Sequence, residues 1–245
     1  MPRPQNAPAP DGSGGDSVTV LAGWVSLDGD LLLPQGTHSI VLFAHGSGSS
    51  RHSPRNQMVA RALNAQGLGT LLMDMLTPRE EAEELQGAHR RFDIDLLTDR
   101  LVQTIDWLTV EPRTSGLSTG LFGASTGAAG ALRAAAMRPE VVRAVVSRGG
   151  RPDLAGAALD AVRAPTLLLV GGNDTQVIAL NRQAYDALHC EKRLGIVPGA
   201  THLFEEPGTL EEVAQVAADW FQRYLAPDAP QSPRVNQSEA SSQQP

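Results

Sequence analysis

A serine in a short glycine-flanked motif has the sequence surroundings of an enzymatic nucleophile. Ser125 is the central residue of Gly-Ala-Ser-Thr-Gly at 123–127, with an apolar run at 120–122 before it and an alanine-rich stretch to Met137 after it. This order predicts a strand, a tight turn and a helix, with the serine at the apex of the turn. The flanking glycines fit such a turn, because a Cβ at either position would collide where the helix passes the strand. The pattern indicates a nucleophile at the edge of a sheet.

A serine hydroxyl is a weak nucleophile unless a base lies beside it. Of the six histidines, His202 is the candidate base, because it follows the last predicted strand at the same edge of the sheet as Ser125. Asp174 follows the preceding strand and is the candidate acid that orients the imidazole, with Asp153 in reserve. Each of these residues alone would also fit an ordinary turn. The chain order Ser125, Asp174, His202 is nevertheless the order of a Ser-His-Asp triad on a sheet of this kind.

A serine nucleophile also requires two hydrogen-bond donors for the negatively charged oxygen of the tetrahedral intermediate. The amide of Thr126, directly after the nucleophile, is the first predicted donor. The second is the amide of Ser47, with Gly48 as the alternative, in the small-residue loop at 45–48 that follows an apolar strand. An ordinary strand-to-helix connection would also explain this loop.

Four arginines fall in loops at the same predicted edge of the sheet, namely Arg51, Arg55, Arg148 and Arg151. Guanidinium groups bind carboxylates and phosphates through paired hydrogen bonds, so these residues are candidates for binding an anionic part of a substrate. Solvation at the protein surface is the alternative explanation for their positions.

Alternating strands and helices predict an α/β fold with a mostly parallel sheet and helices on both faces. An N-terminal hairpin is predicted with its turn at Asp28-Gly29. The other predicted strands are 39–44, 70–76, 120–122, 142–147, 166–170 and 193–197, and the predicted helices are 54–66, 93–110, 128–137, 153–162, 177–188 and 209–225.

Composition limits the classes of function. The 245 residues are 41% hydrophobic and 19% charged, with a net charge of −7, which argues against sequence-independent nucleic-acid binding. The sequence lacks an 18-residue apolar run and the apolar core of a signal peptide, and it has one cysteine, Cys190, so we expect a cytoplasmic protein that does not associate with membranes. Sparse cysteine and histidine imply no metal, and no cofactor is predicted. Residues 1–16 and 226–245 are predicted to be disordered tails around a folded domain at 17–225.

The motif at 123–127, together with Asp174, His202 and the loop at His45, resembles the α/β-hydrolase superfamily over nearly all of residues 17–225. Within it, the chain resembles the dienelactone hydrolase-like group, which is compact and has no cap domain. Three segments resemble a subgroup of hydrolase domains linked to phosphoribosyltransferases: FAHGSGSSRHSPRN at 43–56, SRGGRPDL at 147–154 and VPGATHLFEEPG at 197–208. The residues outside 17–225 are too few for a phosphoribosyltransferase domain.

The resemblance implies an esterase or lactonase acting on a small-molecule ester. Dienelactone hydrolase itself uses a cysteine nucleophile, whereas this chain has Ser125, which favours a serine esterase. A non-catalytic hydrolase-fold partner of a phosphoribosyltransferase-type protein is the alternative, and the predicted triad argues against it. A phosphate-binding loop at 46–48 is discounted, because it lacks the lysine of such loops. The oligomeric state is not predicted.

Overall fold

Eight strands form one sheet that is surrounded by helices. The computed structural model describes residues 15–87 and 89–227, so the predicted tails at 1–16 and 226–245 lie outside it apart from two residues of each. The strands are β1 (Asp16–Ala22), β2 (Val25–Leu32), β3 (Ser39–Ala44), β4 (Gly69–Met73), β5 (Ser118–Ala124), β6 (Val142–Arg148), β7 (Thr166–Gly171) and β8 (Lys192–Val197). The helices are α1 (Pro54–Ala65), α2 (Pro78–Glu84), α3 (Ile94–Val110), α4 (Thr126–Met137), α5 (Thr175–Ala187) and α6 (Thr209–Leu225), with 3₁₀ helices at Arg90–Phe92 and Pro152–Ala161.

The order of the strands creates a point in the sheet where the direction of the chain path reverses. The sheet runs β1-β2-β4-β3-β5-β6-β7-β8, and β3 to β8 are parallel while β1 and β2 pair antiparallel. The chain leaves β3 toward β4 on one side and later returns to β5 on the other side. Such a switch point opens a crevice at the carboxyl ends of the strands, where α/β proteins bind ligands. Here it lies between the loop after β3 and the turn after β5.

Two apolar cores hold the helices on the two faces of this sheet. One core combines the sheet with side chains of α3, α4 and α5, and the other combines it with α1 and α6. The central strands β3, β4, β5 and β7 are almost entirely buried, as expected for parallel strands that are covered on both faces. The predicted α/β-hydrolase architecture is confirmed. Among the described residues, no helix is long and apolar enough to cross a membrane.

The predicted N-terminal hairpin is wrong in the position of its turn. The chain turns at Gly23-Trp24, where Gly23 has a φ of 63°, and Ala22 pairs with Val25. β2 then runs straight through the Asp28-Gly29 pair that we predicted as the turn. Gly29 pairs with β1 on one side and with β4 on the other, so the interior of the sheet, rather than solvent, surrounds it.

Local signals placed the helix behind the loop after β3 correctly. The Ser53 side chain accepts a hydrogen bond from the amide of Asn56, and Pro54 is the first helical residue of α1. A serine cap and a proline at the first position fix a helix start, because both satisfy or remove the unpaired amides there. This start fixes the direction in which Arg55 and Asn56 leave the backbone beside the crevice.

Candidate active site

The turn between β5 and α4 forces Ser125 into a strained backbone conformation. Its φ of 50° and ψ of −125° are rarely adopted by a residue with a side chain, and such strain costs about 1–3 kcal/mol. Its carbonyl accepts hydrogen bonds from the amides of Ala128 and Arg151, which hold the turn. A Cβ on Gly123 would lie 2.5 Å from the Cα of Ala128, so only glycine allows α4 to start this close to β5. The strand, turn and helix predicted around Ser125 are confirmed.

A histidine and an aspartate meet in the loops after the neighbouring strands. Asp174 is the N-cap of α5 after β7, and His202 lies in the turn after β8. Nδ1 of His202 is 2.7 Å from Oδ2 of Asp174, and the side chains are 41% and 14% exposed. A carboxylate at Nδ1 keeps the proton on that nitrogen, so Nε2 is left as the acceptor. Within the described part of the chain, Nε2 has no hydrogen-bond partner.

One cavity of about 220 Å³ is lined by both Ser125 and His202. The loop after β3 forms another wall, and a Cβ on Gly46 would lie 2.8 Å from the Cβ of Ser125. The absence of a side chain at Gly46 therefore lets this loop lie directly against the turn that carries the serine. The predicted nucleophile, base and oxyanion loop border the same space.

A hydrogen bond ties the oxyanion loop to the first residue of α4. The amide of Ser47 donates to Oγ1 of Thr126 over 3.1 Å, across 79 residues of chain. Thr126 is buried, and its own amide belongs to the first turn of α4, where amides have no partner within the helix. Both residues predicted as oxyanion donors are thus in contact, with the Ser47 amide directed at the Thr126 hydroxyl.

Two of the four predicted substrate arginines are paired with carboxylates instead. Arg51 forms a short ion pair with Asp74, whose other oxygen accepts from the Arg51 amide at 2.8 Å. Arg151 binds both oxygens of Asp153 at 2.9 and 2.8 Å, so the reserve candidate for the triad acid is engaged there. Neither arginine is among the described residues that line the cavity at Ser125. Their charges are neutralised within the chain, which corrects their assignment as substrate ligands.

Arg148 and Arg55 do line that cavity. Arg148 is only 7% exposed, and it has no carboxylate partner among the described residues. Its Nη2 donates to Oδ1 of Asn56 at 3.3 Å, its guanidinium lies 5.8 Å from the ring centre of Phe204, and its Nε is buried without a partner. Burial, and then the positive charge of Arg55, lower the pKa of Arg148 to about 10, so it remains a cation at neutral pH.

Arg55 has only a weak carboxylate contact. Its Nη1 lies 3.4 Å from Glu205, whose side chain is mostly exposed, and its Nε is buried without a partner. Two guanidinium groups with unused donors therefore face the space beside the serine. Asn56 and Phe204 contact Arg148, and neither was predicted from the sequence. Asn56 follows Arg55 in the first turn of α1, where its buried side-chain amide is a signal that could have been noticed. No local pattern predicts the φ of 56° at Phe204.

Comparisons with known proteins agree with this architecture. The dienelactone hydrolase family matches residues 28–226. Two Mycobacterium tuberculosis proteins, from strains CDC 1551 and H37Rv, are provisionally named phosphoribosyl transferases and are 54% identical over 215 residues. The alignment covers 88% of this chain and 48% of each relative, so the chain spans about half the length of the curated relatives it matches.

Solved structures give the same assignment. The dienelactone hydrolase of Anabaena variabilis is 58% identical with a TM-score of 0.85, covering 87% of this chain and 99% of that one. The esterase domain of a Rhodothermus marinus protein shares the fold at 20% identity, with a TM-score of 0.68 and coverage of 86% and 98%. The family and these neighbours are those of an esterase-type hydrolase, and the chain belongs to the dienelactone hydrolase family.

Proposed function

We propose that this protein is a serine hydrolase that cleaves a small carboxylic ester or lactone through an acyl-enzyme on Ser125. The observation that carries the proposal is the strained Ser125 in one cavity with His202, whose Nδ1 contacts Asp174 at 2.7 Å. Backbone strain of this kind is costly, and it has a purpose when it presents a hydroxyl to a substrate. Membership of a hydrolase family supports the same class of reaction.

In the proposed reaction, Nε2 of His202 takes the proton of the Ser125 hydroxyl while Oγ forms a bond to the ester carbonyl carbon. The carbon–oxygen bond to the alcohol then breaks, and His202 returns the proton to the departing alkoxide. A water molecule repeats these steps on the acyl-enzyme, which releases the acid and restores Ser125. Asp174 stays ionised and stabilises the imidazolium that forms in each half of the reaction.

The oxyanion of each tetrahedral intermediate would be stabilised by the amide of Thr126 and by the loop that contains Ser47, with Gly48 as the alternative donor. The helix α4 adds its positive N-terminal end at the same place. Because the Thr126 hydroxyl accepts the Ser47 amide at 3.1 Å, it fixes the loop against the nucleophile and polarises its own proton. The hydroxyl is therefore part of the proposed oxyanion site.

An ester that carries a carboxylate or phosphate is the favoured substrate. Arg148 and Arg55 bring two positive charges to the cavity beside Ser125, and buried donors on both remain unused. A buried cation without a counter-ion is costly, and an anionic group of the substrate would offset that cost. Guanidinium groups hold such anions through two parallel hydrogen bonds, which also orient the ester at the serine.

A binding protein for a phosphoribosyltransferase-type partner is the second candidate, favoured by relatives that carry that provisional name and are about twice as long as the aligned region. A fluorophosphonate probe separates the two candidates, because it labels only an activated serine. We expect labelling and hydrolysis of nitrophenyl esters by the wild type, and loss of both in Ser125→Ala by up to about 10⁶-fold in kcat. Ser118→Ala, at the other end of β5, is the matched control. Wild-type turnover in a folded Ser125→Ala would refute the assignment of the nucleophile.

A further inference from the structure

A second cavity of about 480 Å³ lies on the other side of the loop after β3. It is bounded by that loop, the segment after β4, α2, the 3₁₀ helix Arg90–Phe92 and α3. The residues that line both this cavity and the one at Ser125 are Gly46, Ser47, Ser49, Ser53 and Arg55. A molecule bound at the nucleophile would therefore reach the second cavity along a shared wall.

The cavity at Ser125 is too small to hold a whole substrate of ordinary size. Its volume of about 220 Å³ is below the roughly 300–1,000 Å³ of most small-molecule sites. It can hold the ester group and a small anion at Arg148. The remaining arm of the ester must extend elsewhere, and the 480 Å³ cavity beyond Gly46 is the adjoining space that falls within the usual range.

The wall of the larger cavity that faces the core is apolar, whereas the loop after β3 and the start of α1 contribute polar groups, among them Arg55. Met75, Leu76 and Leu97 are almost completely buried there. Leu85 also lines this cavity, and 88% of its surface is exposed. The nearby Arg91 guanidinium is paired with the buried carboxylate of Glu84, so its charge is already compensated within the chain.

The geometry points to the 480 Å³ cavity as the site for an uncharged aliphatic or aromatic arm of the substrate. This inference rests on the proposed function, and it specifies which part of the ester is charged and which part is apolar. The anion lies at Arg148 on one side of the ester carbonyl, and the apolar arm lies against Leu76 and Leu97 on the other, while Arg55 belongs to the wall that the two cavities share. The substrate is thus an ester with a charged acid part and an apolar alcohol part.

Monoalkyl esters of succinate test this arrangement, because they combine one carboxylate with an alcohol arm of chosen length. We expect kcat/KM of the wild type to rise by about fourfold for each added methylene, the equivalent of about 0.8 kcal/mol per buried CH₂, until the cavity is filled. The hexyl ester should exceed the methyl ester by at least tenfold. Equal values for the two esters would overturn the inference.

Leu76→Trp should fill the cavity without removing a core contact, since Leu76 belongs to neither apolar core of the described residues. We expect this variant to lose the preference for the hexyl ester while turnover of the methyl ester and fluorophosphonate labelling persist. Leu21→Trp, an equal change on exposed β1, should keep the wild-type ratio. A folded Leu76→Trp with the wild-type ratio would overturn the inference.

If Leu76→Trp does not fold, Leu76→Ala decides the question, because a larger cavity should move the optimum to longer alcohol arms. An unchanged optimum in Leu76→Ala would also overturn the inference. Failure of the proposed function looks different in the same assays: the wild type would then hydrolyse neither succinate ester and would take up no label.

Discussion

Two histidines at the carboxyl edge of the sheet, His45 after β3 and His202 after β8, have opposite surroundings. His45 is buried, and its ring is fully used: Nε2 accepts from the amide of Met75 at 3.1 Å, and Nδ1 contacts the carbonyl of Gly46 at 2.9 Å. His202 is partly exposed and lines the cavity at Ser125, and its ring contacts Asp174 through Nδ1, while Nε2 has no partner among the described residues. The same residue type at the same edge is structural in one case and chemically available in the other.

The arginines at this edge divide in the same way. Arg51 and Arg151 each bind a carboxylate, of Asp74 and Asp153. Arg148 is more deeply buried than either, and among the described residues its guanidinium contacts an amide oxygen and an aromatic ring but no carboxylate. Buried polar groups normally have partners, so the unused donor of Arg148, on a cation without a carboxylate partner among the described residues, makes it a candidate for binding an anion in the cavity. Substitutions at matched groups outside the proposed catalytic machinery should therefore alter stability, and substitutions at that machinery or at unmatched groups beside the cavity should alter catalysis.

Asp174→Asn should produce the largest loss after that of the nucleophile, about 10⁴-fold in kcat with the fold retained. An amide at this position no longer requires a proton on Nδ1 of His202, so Nε2 is not kept as the base. The measurement is kcat for a nitrophenyl ester, with circular dichroism to check folding. Asp153→Asn is the matched control and should keep wild-type turnover, because its partner is Arg151. The reverse pattern would move the acid of the triad to Asp153.

Thr126→Val tests a matched group that lies inside the proposed machinery. The exchange keeps the shape but removes the oxygen that accepts the Ser47 amide at 3.1 Å. Loss of one oxyanion interaction costs about 10²–10³ in kcat, and we expect KM to change little. Thr126→Ser should restore most of the rate, since it keeps the hydroxyl. If Thr126→Val lost only stability and kept kcat, the hydroxyl would be a structural contact alone.

The sequence predicted those parts of the fold that depend on local signals. Continuous apolar runs identified the buried strands, and Ser53 with Pro54 marked the start of α1. The prediction of a turn at Asp28-Gly29 was wrong, because Gly29 pairs with a strand on each side. This long-range pairing overrides the turn preference of the two residues. A glycine favours a turn only where its backbone does not pair with a neighbouring strand.

The site shows the same limit. Ser125, Asp174 and His202 could be proposed as a triad because their order along the chain follows from the topology of the sheet. The roles of the arginines could not be predicted. Arg51 is paired with Asp74, which is 23 residues away along the chain, and Arg148 donates a hydrogen bond to Asn56, which is 92 residues away. Such pairings depend on how loops from different strands pack, and residue type carries no information about them.

Arg148→Gln should weaken the preference for anionic esters by about tenfold to a hundredfold. A hydrogen bond to a charged group is worth about 1.5–3 kcal/mol, and about 1.4 kcal/mol corresponds to a factor of ten. The measurement is kcat/KM for an anionic ester and a neutral ester of equal size. Arg151→Gln should leave the ratio unchanged, since its charge is bound to Asp153. Equal effects of the two variants would remove the distinction between matched and unmatched arginines.

His45→Gln should have the smallest effect on turnover and a measurable effect on how stability depends on pH. Burial lowers the pKa of His45 below its usual 6.5 in the folded protein. As the pH falls below about 6.5, the unfolded chain takes up a proton that the folded protein does not, so His45 lowers the stability by up to about 1.4 kcal/mol per pH unit. Above pH 6.5 both states hold a neutral ring, and this contribution disappears.

The free energy of unfolding should therefore fall less between pH 7.5 and pH 5.5 in His45→Gln than in the wild type, as measured by urea denaturation. His38→Gln, an exposed histidine outside the site, is the matched control and should follow the wild type. If His45→Gln and wild type lost equal stability over this range, burial would not keep the ring neutral. Because Met75 and Gly46 use both ring nitrogens, we expect removal of His45 to act on folding, whereas removal of His202, the proposed base, should act on turnover.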